Sequence, residues 1–188
     1  MSTTSIFLAS GSPRRKELLQ QLGYVFTIVK PEVEEVRQAG EQPNDYVLRL
    51  SQQKALAGLA MAENDAVVIG SDTVVVLDNH VLEKPKNFED ARRMLLALSG
   101  NKHQVLTAVT VVNQDKQASE VVTTDVWFKP LNNEEISQYW QTGEPCDKAG
   151  SYGIQGIGGR FVSRIEGSYY AVVGLPLFET DRLLKDFL

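Results

Sequence analysis

Short apolar runs alternate with amphipathic stretches along the chain, which predicts alternating strands and helices. Ile6 to Ala9 is an uninterrupted apolar run, as expected for a short buried strand. Ser12 followed by Pro13 is typical of a helix N-terminus, and Gly23 is a plausible residue at the end of that helix. The β-rich run from Tyr24 to Val29 predicts a second strand, which leads into an acidic loop.

The middle of the chain is rich in predicted strands. Pro43 opens a long predicted helix that reaches about Glu63. Ala66 to Ile69 and Thr73 to Leu77 then read as two strands, and Val81-Leu82 could return as a hairpin strand. The polar segment 70–72 interrupts the apolar pattern and is expected to separate these two strands.

The second half predicts helices spread among hairpins. The expected elements are a helix from Phe88 to Leu98 capped by Asn87, antiparallel strands Gln104–Val112 and Val121–Phe128, a short helix capped by Asn132 and Glu135, a hairpin of Phe161–Ile165 with Tyr169–Val173, and a final helix from Pro176. This arrangement favours a mixed α/β fold over a purely parallel, doubly wound one.

Composition narrows the class of protein. The 188 residues fit one domain, or one domain with two lobes, and 43% hydrophobic content excludes a disordered chain. No apolar run approaches the roughly 18 residues of a membrane span. The net charge of −5 argues against a general nucleic-acid binder. Cys146 is the single cysteine, so no internal disulfide can form and a cytoplasmic location is expected.

The strongest local signal for chemistry is the run from Ser10 to Arg15, between a predicted strand and a predicted helix. Free N–H groups at a helix start, with the forked donors of Arg14 and Arg15, suit phosphate oxygens. Arginine more often favours the opposite end of a helix, however. A phosphate cradle and an ordinary capped helix with solvated arginines both remain open on these residues alone.

Asp72 is the second candidate, because it lies between two apolar runs where access to water is reduced. A buried carboxylate needs a partner, a metal or a proton, so Asp72 could activate a water molecule, alone or with Mg²⁺. The alternative is a turn residue hydrogen-bonded to nearby backbone.

Other charged candidates are ambiguous by themselves. Lys54, Lys84 and Lys148 are compatible with solvated surface, although Lys84 precedes a proline that holds its backbone extended. Glu35, in an acid-rich loop, could hold a divalent cation or be solvated.

The glycine-dense run from Gly150 to Gly159 suits close approach to a flat ligand, or a tight connection. Two chemistries are disfavoured. The small set of His80, His103 and one cysteine argues against a Cys/His zinc site, and the lack of a Gly-x-Ser-x-Gly elbow argues against an α/β-hydrolase.

Taken in order, several motifs resemble the Maf family of nucleoside triphosphate pyrophosphatases. They extend over almost the whole chain: Leu8 to Arg15, Gly70 to Thr73, Glu83 to Pro85, Leu98 to Gly100, Thr107 to Val109, Lys148 to Gly150, Tyr152 to Gly156 and Gly174 to Pro176. Thr73 and the Tyr-Gly-Ile-Gln-Gly run resemble the branch that acts on dTTP and UTP.

The resemblance implies an elongated α/β fold around a central mixed sheet, with two lobes and a cleft, related to the inosine triphosphate pyrophosphatases. It implies hydrolysis of a nucleoside triphosphate to the monophosphate and pyrophosphate, with Mg²⁺ or Mn²⁺, by a cytoplasmic homodimer. Asp72 corresponds to the proton acceptor, and Arg14, Thr73 and Gln155 correspond to the specificity positions.

The same resemblance assigns the remaining polar groups of the cleft. Ser10, Arg15, Lys54 and Lys84 correspond to substrate-binding positions. Glu35, and with it Asp72, are the candidate metal ligands. Two other functions stay open: a nucleotide-binding regulator of cell division without turnover, and a nucleic-acid-binding protein that uses Arg14 and Arg15. The retained Asp72 argues against the first, and the acidic net charge argues against the second.

Overall fold

A mixed seven-stranded sheet forms the centre of the molecule, in a computed structural model that describes residues 4–63 and 65–188. The strands are β1 (Ser5–Ala9), β2 (Phe26–Val29), β3 (Ala66–Leu77), β4 (His80–Leu82), β5 (Lys102–Val112), β6 (Gln117–Phe128) and β7 (Val162–Glu166). The strand order is β2-β1-β3-β5-β6-β7, and β4 pairs with β3. β1 runs parallel to β2 and β3, whereas the remaining pairs are antiparallel.

Six α-helices in the described residues pack on this sheet. They are α1 (Pro13–Gln21), α2 (Pro43–Met61), α3 (Phe88–Leu98), α4 (Asn133–Gln141), α5 (Tyr169–Val173) and α6 (Leu177–Lys185). The predicted caps Ser12, Asn87 and Asn132 each accept a hydrogen bond from their own first turn. Local sequence therefore sets where three of these helices begin.

The core lies on both faces of the sheet. On one face, α2 packs against alternate residues of β1 and β3, including Ala9, Val68 and Val74. On the other face, α1 and α6 pack near Ile6 and Val67, and α3 and α4 pack on β5 and β6. Because strand side chains alternate, neighbouring residues of β3 serve opposite faces.

The sheet has a gap along one edge of β3. On that edge β3 pairs with β1 through Ala66–Ile69 and with β4 through Val75–Leu77. The intervening residues, 70–74, pair with β5 on their other edge, and no strand in the described residues covers them on this one. Side chains from both faces of the sheet can therefore reach one opening, and the predicted candidates at residues 71–73 lie there.

The structure corrects the prediction of two separate strands, Ala66 to Ile69 and Thr73 to Leu77. Residues 70–72 do not separate two strands, because β3 runs without interruption from Ala66 to Leu77. The polar residues belong to the strand since their backbone groups pair with β5. Asp72 is therefore a mid-strand residue, and the interpretation of Asp72 as a turn residue is wrong.

The predicted hairpin strand Tyr169–Val173 is also wrong, because this segment is the short helix α5. The Ser168 side chain accepts a hydrogen bond from the Ala171 amide at 3.1 Å and so caps the helix. Burial of Ala171 and Val173 in this turn outweighs the β propensity of the run. The partner of β7 is β6 instead.

The mixed α/β class, the antiparallel β5–β6 pair and the positions of most helices are confirmed. Small differences occur at element ends: β2 begins at Phe26 rather than Tyr24, and Pro176 caps the last helix rather than starting it. Among the described residues, none of the helices combines the length and apolar character needed to cross a membrane.

Candidate active site

A cleft of about 420 Å³ opens at the gap in the sheet. All nine candidate residues line it, although they come from segments far apart in sequence: Ser10, Arg14, Arg15, Glu35, Lys54, Asp72, Thr73, Lys84 and Gln155. Residues that follow the ends of β1, β2 and β4 meet here. This concentration of polar groups is the main feature that distinguishes the cleft from an ordinary surface groove.

Two carboxylates share one ammonium group at the floor of the cleft. Lys54 Nζ lies 2.6 Å from Asp72 Oδ1 and 2.8 Å from Glu35 Oε1. Asp72 is 6% exposed, whereas the Glu35 side chain is 45% exposed. The neighbouring acid Glu34 does not line the cleft, so Glu35 is the loop carboxylate that reaches it.

Burial and charge act in opposite directions on these carboxylates. Burial raises the pKa of Asp72, and the charges of Lys54 and Arg15 offset that rise only in part. Burial alone would also raise the pKa of Glu35, but the hydrogen bond and charge of Lys54 outweigh it and lower the pKa. The two pKa values are therefore shifted in opposite directions, and the shift of Asp72 is the one that suits a proton acceptor.

Close packing of α2 on the sheet brings Lys54 to Asp72. A Cβ atom on Gly70 would lie 2.5 Å from the Ala55 amide nitrogen and 2.5 Å from the Ser51 carbonyl oxygen. One on Gly58 would lie 2.6 Å from the Ala9 Cβ. The helix backbone can approach β1 and β3 this closely only because both residues lack a side chain.

Arg15 is held on the face of the sheet opposite to α2. Its Nε donates to the Gly174 carbonyl at 2.8 Å, and its terminal nitrogen donates to Thr73 Oγ1 at 3.1 Å. Burial lowers the pKa of Arg15, and the charge of Asp72 partly restores it. Arg15 therefore enters the cleft already oriented, whereas Arg14 lines it without such contacts among the described hydrogen bonds.

The direction of the hydrogen bonds shows how Thr73 is used. Thr107 Oγ1 lies 2.6 Å from the Ala171 carbonyl oxygen, and a carbonyl can only accept, so Thr107 donates there. Thr107 must then accept the 3.0 Å bond that it shares with Thr73. The Thr73 hydroxyl gives its hydrogen to Thr107 and accepts from Arg15, so it can offer a ligand only a lone pair.

An apolar wall and a glycine-rich loop form the remaining side of the cleft. Val75, Val105 and the buried Tyr152 line the wall, and Gln155 lies on the exposed loop. Flat ligands are commonly bound between such apolar surfaces and a few polar groups. Tyr152 is itself fixed by a 2.7 Å hydrogen bond with the buried His103.

The charge of the cleft opposes that of the whole chain. Six Lys or Arg residues line it against three acidic residues, whereas the chain has a net charge of −5. Such local concentration of one sign attracts ligands of the opposite sign. Cations on one side and an apolar wall on the other match a phosphorylated molecule with a flat ring.

The acidic residues also fit a divalent cation that arrives with phosphates. Among the described residues, no group of three or more His, Cys, Asp or Glu side chains could hold a metal. Glu35 and Asp72 nevertheless supply hard carboxylate oxygens near one another, through their common partner Lys54. Mg²⁺ is commonly bound by one or two carboxylates together with substrate phosphates, so this donor set fits.

Sequence reasoning missed two charged residues of the cleft, Lys30 and Asp147. Lys30 directly follows β2, which runs parallel to β1, so both strands end at the same edge of the sheet. Ligands commonly bind at the carboxyl ends of parallel strands, and this signal could have found Lys30. Asp147 comes from a short 3₁₀ helix, Glu144–Asp147, that the local pattern does not predict.

Comparisons with known proteins identify the family of this chain. The family model described as Maf-like protein matches residues 5–187. The chain belongs to the Maf family. A relative from Vibrio parahaemolyticus, named dTTP/UTP pyrophosphatase, is 73% identical over 98% of this chain and 97% of its own length.

Another Maf relative, from Vibrio cholerae, carries the same name and is 65% identical over 100% of both chains. Among solved structures, the Staphylococcus aureus Ham1 protein aligns with a TM-score of 0.47 at 12% identity, over 66% of this chain and 71% of that one.

Proposed function

We propose that this Maf protein is a dTTP/UTP pyrophosphatase, which hydrolyses these nucleotides to the monophosphate and pyrophosphate. The observation that carries the proposal is the cleft at the gap along one edge of β3. There a buried carboxylate, Asp72, lies among six cationic residues beside an apolar wall. The names of the Vibrio relatives, at 73% and 65% identity, support the choice of dTTP and UTP.

Each side chain has a chemical role in this proposal. Asp72 takes a proton from the attacking water, and its raised pKa suits that task. Arg14 and Arg15, with Ser10 in the loop before α1, bind phosphate oxygens. Lys54 and Lys84 stabilise the negative charge that develops as pyrophosphate leaves. The oxygen of water is transferred to the α-phosphorus, and the bond to the β-phosphate is broken.

A divalent cation belongs to the same proposal. Glu35 and Asp72 would hold Mg²⁺ or Mn²⁺ together with phosphate oxygens of the nucleotide. The ion would neutralise part of the phosphate charge when bound. Lys54, which now pairs with both carboxylates, keeps their oxygens close together before substrate arrives.

The test is product analysis with purified protein, Mg²⁺ and a panel of common and modified nucleoside triphosphates. We expect dTTP and UTP to yield monophosphate and pyrophosphate, with ¹⁸O from labelled water in the monophosphate. Release of dTDP and orthophosphate would overturn the pyrophosphatase assignment. Binding of nucleotide without any turnover would favour the regulator instead.

The proposal extends to the state of the protein in the cell. By similarity to the family we expect a cytoplasmic homodimer, and the single cysteine, Cys146, is compatible with a reducing compartment. Light scattering of the purified protein would give the mass of the assembly. We expect no affinity for DNA or RNA at physiological salt, which a salt titration would check.

A further inference from the structure

The loop that carries Gln155 is held by hydrogen bonds to a residue that does not line the cleft. Glu144, in the 3₁₀ helix that follows α4, accepts hydrogen bonds from the amides of Ile157 at 2.8 Å and Gly158 at 3.0 Å. Both amides lie within three residues of Gln155. One carboxylate therefore holds the chain just beyond the exposed glutamine.

Tyr139 holds the other end of the same loop. Its hydroxyl donates to Glu144 at 2.6 Å and accepts from the Gly153 amide at 3.2 Å. The Tyr139 ring is fully buried and packs edge-on against Phe161 at 4.9 Å. We call Tyr139 and Glu144 the loop clasp, because together they bind the chain on both sides of Gln155.

The glycines of the loop fit around the loop clasp. A Cβ atom on Gly156 would lie 2.2 Å from Glu144 Oε2, and one on Gly158 would lie 2.5 Å from the Tyr139 hydroxyl. These glycines therefore permit close approach to two side chains of the protein. The glycine-dense pattern has a structural cause here that is separate from ligand binding.

The electrostatics of the loop clasp keep it assembled at neutral pH. Burial alone would raise the pKa of Glu144, but the hydrogen bonds from Tyr139 and the loop amides lower it. Burial, and then the bond to Glu144, raise the pKa of the Tyr139 hydroxyl. The carboxylate stays ionised and the hydroxyl keeps its proton, so each retains its role in the hydrogen bonds.

We infer that Glu144 and Tyr139 are positioning residues for base selection, acting through Gln155. A free glutamine amide can turn over and pair with either uracil or cytosine, because it carries both a donor and an acceptor. Neighbouring groups can favour one orientation of the amide only if the residue that carries it is held at a fixed place. The loop clasp limits the positions that the Gln155 backbone can adopt, and the inference rests on the proposed function.

The test compares kcat and KM on dTTP, UTP and CTP for Glu144→Gln and for the milder Tyr139→Phe, which keeps the buried ring. We expect the UTP/CTP ratio of kcat/KM to fall about tenfold in Glu144→Gln, as for a lost buried hydrogen bond. The change should appear in KM rather than kcat. Glu134→Gln is the matched control, since Glu134 is exposed on α4 and contacts Gln138 instead.

A second comparison separates positioning from general loss of structure. The double variant Gln155→Ala/Glu144→Gln should have the same UTP/CTP ratio of kcat/KM as the single variant Gln155→Ala. An equal proportional loss on all three nucleotides, in both backgrounds, would overturn the inference.

Amide hydrogen exchange without nucleotide gives an independent readout. The Ile157 and Gly158 amides should exchange faster in Glu144→Gln than in the wild type, and unchanged exchange would overturn the inference. Absence of dTTP and UTP turnover in the wild type would instead contradict the proposed function. The hydrogen-exchange measurement would still test whether the loop clasp restrains the loop.

Discussion

At the scale of single residues, Lys54 explains how two acidic side chains can coexist in one cleft. Its ammonium group pairs with Asp72 and Glu35, and the Lys54 side chain is 13% exposed. Removal of one partner from a buried ion pair is usually costly, because the remaining charge is left unpaired. Here Lys54 has a second carboxylate, so loss of the Asp72 charge leaves it compensated.

This arrangement makes Asp72→Asn a clean test of the proton acceptor. We expect kcat to fall by about 10²- to 10⁴-fold, the usual contribution of general acid–base catalysis. The fold should survive, because Glu35 still pairs with Lys54. Steady-state kinetics and a thermal melt would check both points, with the exposed turn residue Asp115→Asn as control. Near-normal turnover would remove Asp72 from the mechanism.

His103 predicts a pH dependence of stability. Burial lowers the pKa of this histidine to about 4, so the folded protein keeps it neutral. The unfolded chain takes up the proton near pH 6.5, and stability is therefore lost as the pH falls from about 7 toward about 4. The loss attributable to this residue is about 3 kcal/mol.

Denaturant unfolding of His103→Phe at several pH values would measure this contribution. The variant should show a flatter decline between pH 7 and pH 4 than the wild type, whatever its stability at pH 7. The exposed histidine supplies the control, since His80→Gln should keep the wild-type slope. Identical slopes in all three proteins would show that His103 is not held neutral by burial.

At the scale of elements, the site depends on how closely α2 approaches β3. Gly70 lies directly under Ser51 and Ala55, on either side of Lys54 in the helix. The Ser51 hydroxyl also contacts the Gly70 carbonyl at 3.3 Å and Thr110 Oγ1 at 2.8 Å. The same contact that closes the core thus determines the distance from Lys54 to Asp72.

Gly70→Ala should weaken both stability and catalysis. The added methyl group must push α2 away from the sheet, and such overpacking typically costs about 1–3 kcal/mol. The shift would also separate Lys54 from Asp72, so kcat should fall. Gly11→Ala is the control for stability, because a Cβ there would meet nothing closer than 3.7 Å. Equal stability of the two variants would contradict tight packing at Gly70.

At the scale of the whole molecule, the charge of the cleft and the net charge of the chain predict opposite effects of salt on substrate association. A negative protein should repel a nucleotide, so added salt would speed association if the net charge of −5 dominated. The cleft instead carries an excess of cations. At about 0.1 M ionic strength the Debye length is about 10 Å, so nearby charges dominate.

We therefore expect kcat/KM for dTTP to fall as ionic strength rises from about 0.03 M to about 0.3 M at constant free Mg²⁺. The measurement is a salt series with an inert electrolyte, and Lys84→Gln should make the slope shallower. A rate that increases with salt would show that the net charge, and not the cleft, governs substrate approach.

The sequence by itself determined most of the local structure, because caps and apolar periods act over a few residues. Ser12, Asn87 and Asn132 begin the helices that they were predicted to begin. The candidate site residues assigned through the resemblance to the Maf family also line a single cleft. Local propensity failed at Tyr169–Val173, where a serine cap and burial decided the outcome.

Only the tertiary structure decided how these pieces form a site. The continuity of β3 through Asp72 depends on pairing with β5, where the partner of Asp72 is Ala108. Three further features depend on contacts between separate segments of the chain. They are the gap between β1 and β4, the pairing of Lys54 with two carboxylates, and the contact of Glu144 with the loop around Gln155. Local sequence carries no information on such distances, because they are set by the packing of whole elements against one another.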